Sequence, residues 1–156
     1  MATEINKEGC VTLRAAKPAD LSTVLGLLTR AGLPTDGVDA GSLADFVIAE
    51  AGGTPVGVVG LEVYRESALL RSAAVEEEWR GSGVGRVLID RALAMSNERG
   101  IRDVFLLTTT AEHYFPRFGF ACVGRESVPE ALQASAEFQG ACPSTAVVMR
   151  KCMGAG

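Results

Sequence analysis

A glycine-rich stretch between an apolar strand and a long helical segment constrains the fold of this chain more than any other feature. The stretch covers residues 80–85 and follows the apolar run 68–75. Residues 84–99 then repeat their apolar side chains at helical spacing, and Gly100 supplies a stop. A strand, a glycine turn and a helix start therefore meet within a few residues, which predicts a fold that mixes strands with helices.

Apolar periodicity along the rest of the chain predicts a single domain. A length of 156 residues suits one domain, 1–156, with a core at about 11–150 and tails at 1–9 and 152–156. Residues 45–50, 55–64 and 68–75 are predicted as an antiparallel meander. A long helix precedes residues 103–108, so that strand is predicted to lie parallel to the third meander strand. The other predicted elements are a strand at 11–14, a helix opened by Pro18-Ala19-Asp20, a loop at 34–41, a helix at 111–118, a strand at 120–123, a helical or irregular segment at 128–138 and a strand at 145–150.

Composition and charge exclude several classes of protein. The net charge of −4 argues against a general nucleic-acid-binding role, which requires a basic surface. No apolar run approaches the roughly 20 residues that span a bilayer, so no membrane partner is expected. The polar residues 1–8, mixed in charge, do not form a signal peptide. The cytoplasm is the expected location.

The cysteines do not form a metal-binding pattern. Cys10, Cys122, Cys142 and Cys152 include no Cys-x-x-Cys pair, and His113 is the one histidine. A zinc site is not expected from these counts, and we predict no metal and four reduced thiols.

The glycine-rich stretch has the chemistry of a diphosphate site. Glycines allow a ligand to approach the backbone closely, and the first N–H groups of a helix point outward at the positive end of its dipole. The order Arg-x-x-Gly-x-Gly lacks the pattern and position of a dinucleotide fingerprint, and no Gly-Lys-Ser/Thr follows as in a P-loop. The structural alternative is a glycine turn that only enters a helix.

At this point the residues resemble the GNAT superfamily of N-acetyltransferases. The resemblance rests on residues 80–85, on Ala73-Ala74-Val75 before them and on Phe118-Gly119-Phe120 after them, and it covers roughly 11–150. It implies an α/β (α+β) fold with a mixed, mostly antiparallel sheet of six to seven strands, helices on both faces and a splayed parallel pair. It also implies acetyl-CoA as co-substrate. The implied contacts are the pantetheine arm on Ala73, Ala74 and Val75, and the pyrophosphate on Arg80, Gly81, Ser82, Gly83, Val84 and Gly85.

The resemblance also directs attention to the proton chemistry. Acetyl transfer needs a neutral amine, a polarised thioester carbonyl and, in some enzymes, an acid for the leaving thiolate. Many GNAT enzymes carry a tyrosine as that acid four residues before the Gly-Phe pair, where this chain has Phe115. The adjacent Tyr114 would lie about 100° away around a helix. We therefore expect Phe115 beside the cofactor and direct transfer without a tyrosine acid.

Thr108 is a candidate for both catalysis and cofactor binding. Family members often carry Asn-x-x-Ala near the pantetheine, and the matching stretch here is Thr108-Thr109-Thr110-Ala111. We predict that Thr108 contacts the ligand and that Thr110 caps the following helix. The alternative is that the threonines only end a strand.

The remaining candidates cluster near the expected acceptor site. Glu62 could deprotonate the amine, although strand alternation also permits an outward-facing residue. Arg71 and Ser72 stand beside the expected acetyl position, and an arginine in so apolar a strand suggests a carboxylate or oxyanion partner; a surface ion pair is the alternative. In the resembled fold, Ser144 precedes a strand that borders the acceptor. Glu137 and Phe138 are further candidates for the lining of the same pocket.

Residues 60–64, 69–72, 106–112 and 142–149 resemble the arsenic-resistance N-acetyltransferase (ArsN) branch. The chain also resembles the acetyltransferase domain of N-acetylglutamate synthases, which shares the Leu-Thr-Thr run at 107–109. Both resemblances imply an α-amino acid acceptor, or a mimic such as phosphinothricin or an arsenical amino acid. A generic amine acetyltransferase and a catalytically inactive acyl-CoA-binding module stay open. A thiol-based arsenic sensor is disfavoured because its cysteines would need to cluster. A homodimer through an edge strand or an exposed helix is also left open.

Overall fold

The chain folds around one mixed β-sheet. The structure, a computed structural model, describes residues 2–4, 10–141 and 145–153. The described strands, in sequence order, are β1 (Ala2–Glu4), β2 (Cys10–Ala15), β3 (Phe46–Ala51), β4 (Thr54–Tyr64), β5 (Ser67–Val75), β6 (Asp103–Thr108), β7 (Ala121–Val123) and β8 (Val147–Cys152). Their order in the sheet is β1-β2-β3-β4-β5-β6-β8-β7. The predicted fold class is confirmed; β1 extends the sheet beyond the predicted six to seven strands.

Helices cover the two faces of the sheet. Helix α1 (Leu21–Arg30) buries Val24, Leu27 and Leu28 against Phe46 and Ile48 of β3. Helix α2 (Val84–Glu98) packs instead against Val47 and Ala49 of the same strand. Because neighbouring residues of a strand point to opposite faces, the two helices lie on opposite sides. The strand β4 is therefore covered on both faces for much of its length, and Val58 is fully buried on the α1 side.

Strands β5 and β6 run parallel, as predicted, and then separate. Their pairing covers Ser67, Ala68 and Leu69, opposite Asp103, Val104 and Phe105. Beyond this point β6 continues to pair with β8 as far as Thr108, while β5 continues to pair with β4 as far as Val75. The carboxyl ends of the two parallel strands therefore diverge and leave a gap in the sheet.

A β-bulge lies in β5 where the strands separate. Val58 pairs with Ala74 and Gly60 with Arg71, so Ser72 and Ala73 together face the single residue between them, Val59. Ser72 has a φ of +59°, a left-handed conformation that is uncommon outside glycine. The bulge changes the direction of the β5 backbone at the edge of the gap.

One predicted helix is shorter than expected, and a second segment is partly helical and partly irregular, as predicted. Residues 111–118 form a turn followed by a 3-10 helix at Phe115–Phe118, because Pro116 provides no N–H for an α-helix and Gly119 ends the turn with a φ of +96°. Residues 128–138 contain one helical turn, α3 (Glu130–Gln133), and an irregular turn begins at Glu137.

Two predictions, the acceptor contact of Ser144 and the reduced thiol of Cys142, lie outside the described residues.

Candidate functional site

A large cavity among the described residues occupies the gap between the diverging strands. Its volume is about 1100 Å³. The walls come from the α1–β3 loop, the second half of β5, the glycine-rich turn with the first turn of α2, the end of β6 and the turn after it. The residues that line the cavity include Asp36, Arg71, Ser72, Ala73, Ala74, Val75, Arg80, Gly81, Gly83, Gly85, Arg86, Thr108, Tyr114, Phe115, Arg117 and Glu137.

One end of the cavity has the features of a diphosphate site. Gly81 and Gly83 take φ values of +79° and +99°, and Gly83 directly precedes Val84, the first residue of α2. These conformations favour glycine and expose the first N–H groups of the helix. Arg80 donates from Nε to the carbonyl of Val75 at 3.2 Å, which ties the turn to the end of β5. With Arg86 and Arg117 in the same wall, this end combines positive charge with free backbone donors.

Two residues predicted to contact the pyrophosphate keep their side chains out of the cavity. Ser82 and Val84 do not appear in the cavity wall. The Ser82 hydroxyl donates to the carbonyl of Trp79 and thereby closes the turn. Val84 is fully buried in the core with α2. Their side chains fix the shape of the turn, and only their N–H groups remain candidates for ligand contact.

Phe115 and Tyr114 form an aromatic wall in the middle of the cavity. The Phe115 ring is 5.4 Å from that of Tyr114 and 5.7 Å from that of Phe120, both edge to face. The Tyr114 hydroxyl lies against the first turn of α2. A Cβ built on Gly85 would lie 3.3 Å from it. Burial raises the pKa of the Tyr114 phenol, so this group stays protonated at neutral pH, at the diphosphate end.

Thr108 ends β6 and caps the turn that follows. Its Oγ1 accepts a hydrogen bond from the Ala111 N–H at 2.9 Å. The predicted cap at Thr110 is therefore wrong; a turn rather than a helix begins here, and its first donor is within reach of Thr108. Thr108 nevertheless lines the cavity, and its hydroxyl proton is still available for donation.

Beside the other end of the cavity lies a group of charged and polar side chains, which we name the Arg71 cluster: Glu62, Tyr64, Arg71, Ser72 and Glu137. The Arg71 side chain has no exposed surface, and its Nη1 donates to Glu62 Oε2 at 2.7 Å. Its Nε donates to Ser72 Oγ at 3.0 Å and lies 3.7 Å from Glu137 Oε2. The second oxygen of Glu62 accepts a hydrogen bond from the Tyr64 hydroxyl.

The members of the Arg71 cluster differ in their access to the cavity. Arg71, Ser72 and Glu137 line it, whereas Glu62 and Tyr64 do not appear in its wall. Burial and the hydrogen bond to Glu62 raise the pKa of Tyr64, so its phenol remains a donor to that carboxylate. The predicted carboxylate partner of Arg71 is thus within the protein, and the alternative of a surface ion pair does not apply to a side chain so buried.

The described residues contain no site for a metal. Residues 2–4, 10–141 and 145–153 hold no group of three or more His, Cys, Asp or Glu side chains that could bind an ion. Cys122 and Cys152 are exposed free thiols. In the same ranges, no helix is both long and apolar enough to cross a membrane.

Sequence comparison identifies a family match and several relatives. The family model described as acetyltransferase (GNAT) domain matches residues 42–122. An uncharacterised N-acetyltransferase from Chlorobaculum tepidum is 34% identical over 91 residues, which is 58% of each chain. The amino-acid acetyltransferase of Aeromonas salmonicida is 29% identical over 139 residues, which is 83% of this chain and 31% of that protein. The chain thus spans between about a third and three fifths of the length of these relatives.

Solved structures share the fold at low sequence identity. N-acetylglutamate synthase from Neisseria gonorrhoeae, complexed with coenzyme A and N-acetyl-glutamate, matches with a TM-score of 0.81 at 20% identity, over 95% of this chain and 36% of that one. The PaiA N-acetyltransferase from Thermoplasma acidophilum, in complex with coenzyme A, matches with a TM-score of 0.70 at 14% identity, over 91% and 98% of the two chains.

Proposed function

This chain belongs to the acetyltransferase (GNAT) domain family, and on that basis we propose that it transfers an acetyl group from acetyl-CoA to the amino group of a small amino acid or amino-acid mimic. The observation that carries the proposal is the single cavity that joins the start of α2 to the Arg71 cluster. Its volume of about 1100 Å³ is slightly above the range of ordinary ligand pockets, roughly 300–1000 Å³. It can therefore hold an extended co-substrate together with an acceptor.

The cavity offers the extended co-substrate a continuous surface. A diphosphate would contact the N–H groups at the start of α2, flanked by Arg80 and Arg86. An arm bound to this diphosphate would follow Ala73, Ala74 and Val75 along the edge of β5, which has lost its β6 partner there. The thioester would then lie near the bulge at Ser72, within reach of an acceptor held at the Arg71 cluster. Thr108, on the opposite strand, could donate a hydrogen bond to the arm.

The acceptor class draws its support from the relatives. One relative is an amino-acid acetyltransferase, and one structural neighbour was solved with N-acetyl-glutamate. Phosphinothricin and arsenical amino acids have the shape and amino group of such acceptors, so we include them in the proposal. The carboxylates of the Arg71 cluster would remove a proton from the amine, and the transfer would be direct, without a tyrosine acid.

A single domain at 1–156, a cytoplasmic location and a homodimer stay predictions from the sequence.

An acceptor screen tests the proposal. The purified chain is mixed with acetyl-CoA and one candidate at a time, and release of free CoA is followed with a thiol reagent. We expect turnover with at least one α-amino acid or mimic from a panel that includes glutamate, phosphinothricin and arsinothricin. Binding of acetyl-CoA without turnover of any member of the panel would instead support an inactive acyl-CoA-binding module.

Tyr114→Phe is expected to leave turnover nearly unchanged. The Tyr114 hydroxyl lies at the first turn of α2 rather than in the Arg71 cluster, and Phe keeps the ring that packs against Phe115 and Phe118. The measurement is kcat with the best acceptor of the panel. General acid catalysis contributes at least about 100-fold, so a loss of that size would show that Tyr114 is the acid and that transfer is not direct.

A further inference from the structure

We propose that Ser72 is a catalytic residue whose hydroxyl donates a hydrogen bond to the thioester carbonyl oxygen of acetyl-CoA, and that Arg71 is the positioning residue that orients this hydroxyl. The proposal rests on the proposed function, in which the thioester lies near the bulge in β5. It gives a chemical role to Ser72, for which the sequence predicted only a position beside the acetyl group.

The contact between Arg71 and Ser72 depends on the bulge. Neighbouring side chains of a regular strand point to opposite faces of the sheet, so two consecutive residues do not normally share a side-chain hydrogen bond. At the bulge Ser72 has a φ of +59°, and Arg71 Nε donates to Ser72 Oγ at 3.0 Å. Both residues line the cavity. The strained backbone therefore holds a hydroxyl beside a guanidinium in the cavity wall.

The hydrogen bond from Arg71 restricts where the Ser72 hydroxyl proton can point. A serine hydroxyl has one proton to donate and two lone pairs with which to accept. The Arg71 N–H occupies one lone pair, so the proton points away from the guanidinium. Ser72 is only 6% exposed, and within the described part of the chain no residue accepts a hydrogen bond from its Oγ. A ligand in the cavity can supply the missing acceptor.

The guanidinium also makes Ser72 a stronger donor. A hydrogen bond with an ionised partner is stronger than a neutral one, and successive hydrogen bonds polarise one another in a poorly solvated site. The Arg71 side chain has no exposed surface, so solvent does not screen its interaction with Ser72. Glu62 Oε2, at 2.7 Å from Nη1, fixes the guanidinium while Nε faces the serine.

The other hydroxyl groups near the cavity have different positions or partners. The Tyr64 hydroxyl donates to Glu62 and does not appear in the cavity wall. The Tyr114 hydroxyl lies at the first turn of α2. Thr108 lines the cavity from the end of β6, the strand across the gap from β5. Ser72 is therefore the hydroxyl on β5 beside the Arg71 cluster, where the acceptor amine would meet the thioester.

The reaction balances without a proton from Ser72. A neutral amine nitrogen attacks the thioester carbonyl carbon, the C–N bond forms, and the π electrons of the C=O bond move to the oxygen. Ser72 donates a hydrogen bond to this oxyanion and keeps its proton. The C=O bond then re-forms, the C–S bond breaks, and the sulfur leaves as a thiolate, which takes a proton from the nitrogen. Donors aimed at such an oxygen stabilise the transition state more than the ground state.

Two substitutions remove the hydroxyl with different effects on the backbone. Ser72→Gly and Ser72→Ala both lose Oγ, but a φ of +59° suits glycine and not alanine, so Ser72→Gly should be the more stable variant in urea unfolding. We expect kcat to fall about 100-fold or more in both. Ser67→Ala is the matched control, because Ser67 is another buried serine of β5 and lies outside the cavity wall. A loss of kcat in Ser72→Ala alone would show that backbone strain matters and not the hydroxyl, and would overturn the proposal.

The infrared stretch of the bound carbonyl reports the hydrogen bond directly. Acetyl-CoA with and without an isotope label at the carbonyl carbon is bound to each protein in the absence of acceptor, and the difference spectrum isolates the band. A hydrogen bond weakens the C=O bond, so the band should lie at lower wavenumber in the wild type and in Ser67→Ala than in Ser72→Gly and Ser72→Ala. The same band position in all four proteins would overturn the proposal.

Arg71→Lys tests the orienting role in the same spectrum. Lysine keeps a positive charge opposite Glu62 but is a point charge without the fork of nitrogens that reaches both Glu62 and Ser72. Its band should move toward the position found in Ser72→Gly, and a band at the wild-type position would show that Arg71 does not orient Ser72.

The outcomes also separate this proposal from the proposed function. Free CoA has no acetyl carbonyl, so in calorimetry its affinity should be equal for the wild type and Ser72→Gly; a weaker affinity in the variant would mean that Ser72 shapes the site and does not act on the carbonyl. A wild-type chain that binds no acetyl-CoA, or that acetylates nothing, would contradict the proposed function. Bound acetyl-CoA with a carbonyl band independent of Ser72 would contradict only the role of Ser72.

Discussion

Gly83→Val is expected to weaken acetyl-CoA binding roughly 10- to 100-fold, which corresponds to the loss of about one hydrogen bond to a charged group. Gly83 directly precedes α2, has a φ of +99° and lines the cavity. A branched side chain there would disfavour this backbone conformation and occupy the space through which a diphosphate reaches the helix N–H groups. Calorimetric titration of acetyl-CoA into the purified variant measures the effect.

Gly100→Val provides the matched control for Gly83→Val. Gly100 follows the other end of α2, has a φ of +73°, and a Cβ there would meet no atom within 4 Å. Both substitutions place a branched residue in the left-handed region and should each lower the free energy of unfolding by about 1–3 kcal/mol. Acetyl-CoA affinity should change in Gly83→Val alone. Equal affinities of the two variants for acetyl-CoA would show that the glycine-rich turn does not contact this ligand.

The fold was predictable where local periodicity and chain direction determine the structure. The long helix that begins at Val84 follows from apolar spacing, and the parallel pairing of β5 with β6 follows from the helix between them. The bulge at Ser72 gives no such signal, because its left-handed φ is imposed by pairing with β4 and not by its residue type. The short 3-10 helix at Phe115–Phe118 could have been anticipated from Pro116, which weakens an α-helix at that position.

The candidate site was predictable in its residues more than in its contacts. The glycine turn, Arg71, Ser72, Thr108 and Phe115 all line the cavity as the sequence suggested. Alternation along β4 indicated the face on which Glu62 lies, but it could not show that Glu62 would form an ion pair with the buried guanidinium of Arg71. Glu137 arrives from a segment distant in sequence, and only tertiary packing brings its carboxylate to within 3.7 Å of Arg71.

Arg71→Met is expected to lower the free energy of unfolding by about 3–5 kcal/mol, the cost of removing one partner from a buried ion pair. The variant would leave the carboxylates of Glu62 and Glu137 without the guanidinium that now lies between them. Urea unfolding followed by circular dichroism measures the change. The matched control is Arg102→Met, whose partner Glu66 lies 3.6 Å away with both side chains about 70% exposed; surface pairs of this kind contribute at most about 1 kcal/mol.

The sign of the change in unfolding free energy on Glu62→Gln then tests whether charge balance causes the loss of stability in Arg71→Met. In the wild type, Glu62→Gln should destabilise the protein, because Arg71 loses its close partner at 2.7 Å. In the Arg71→Met background the same substitution should stabilise it, because one uncompensated carboxylate is removed from a buried place. A Glu62→Gln effect of the same sign in both backgrounds would mean that Arg71 stabilises the fold by packing and not by balancing these two carboxylates. A direct charge interaction between Arg71 and Glu62 predicts opposite signs in the two backgrounds.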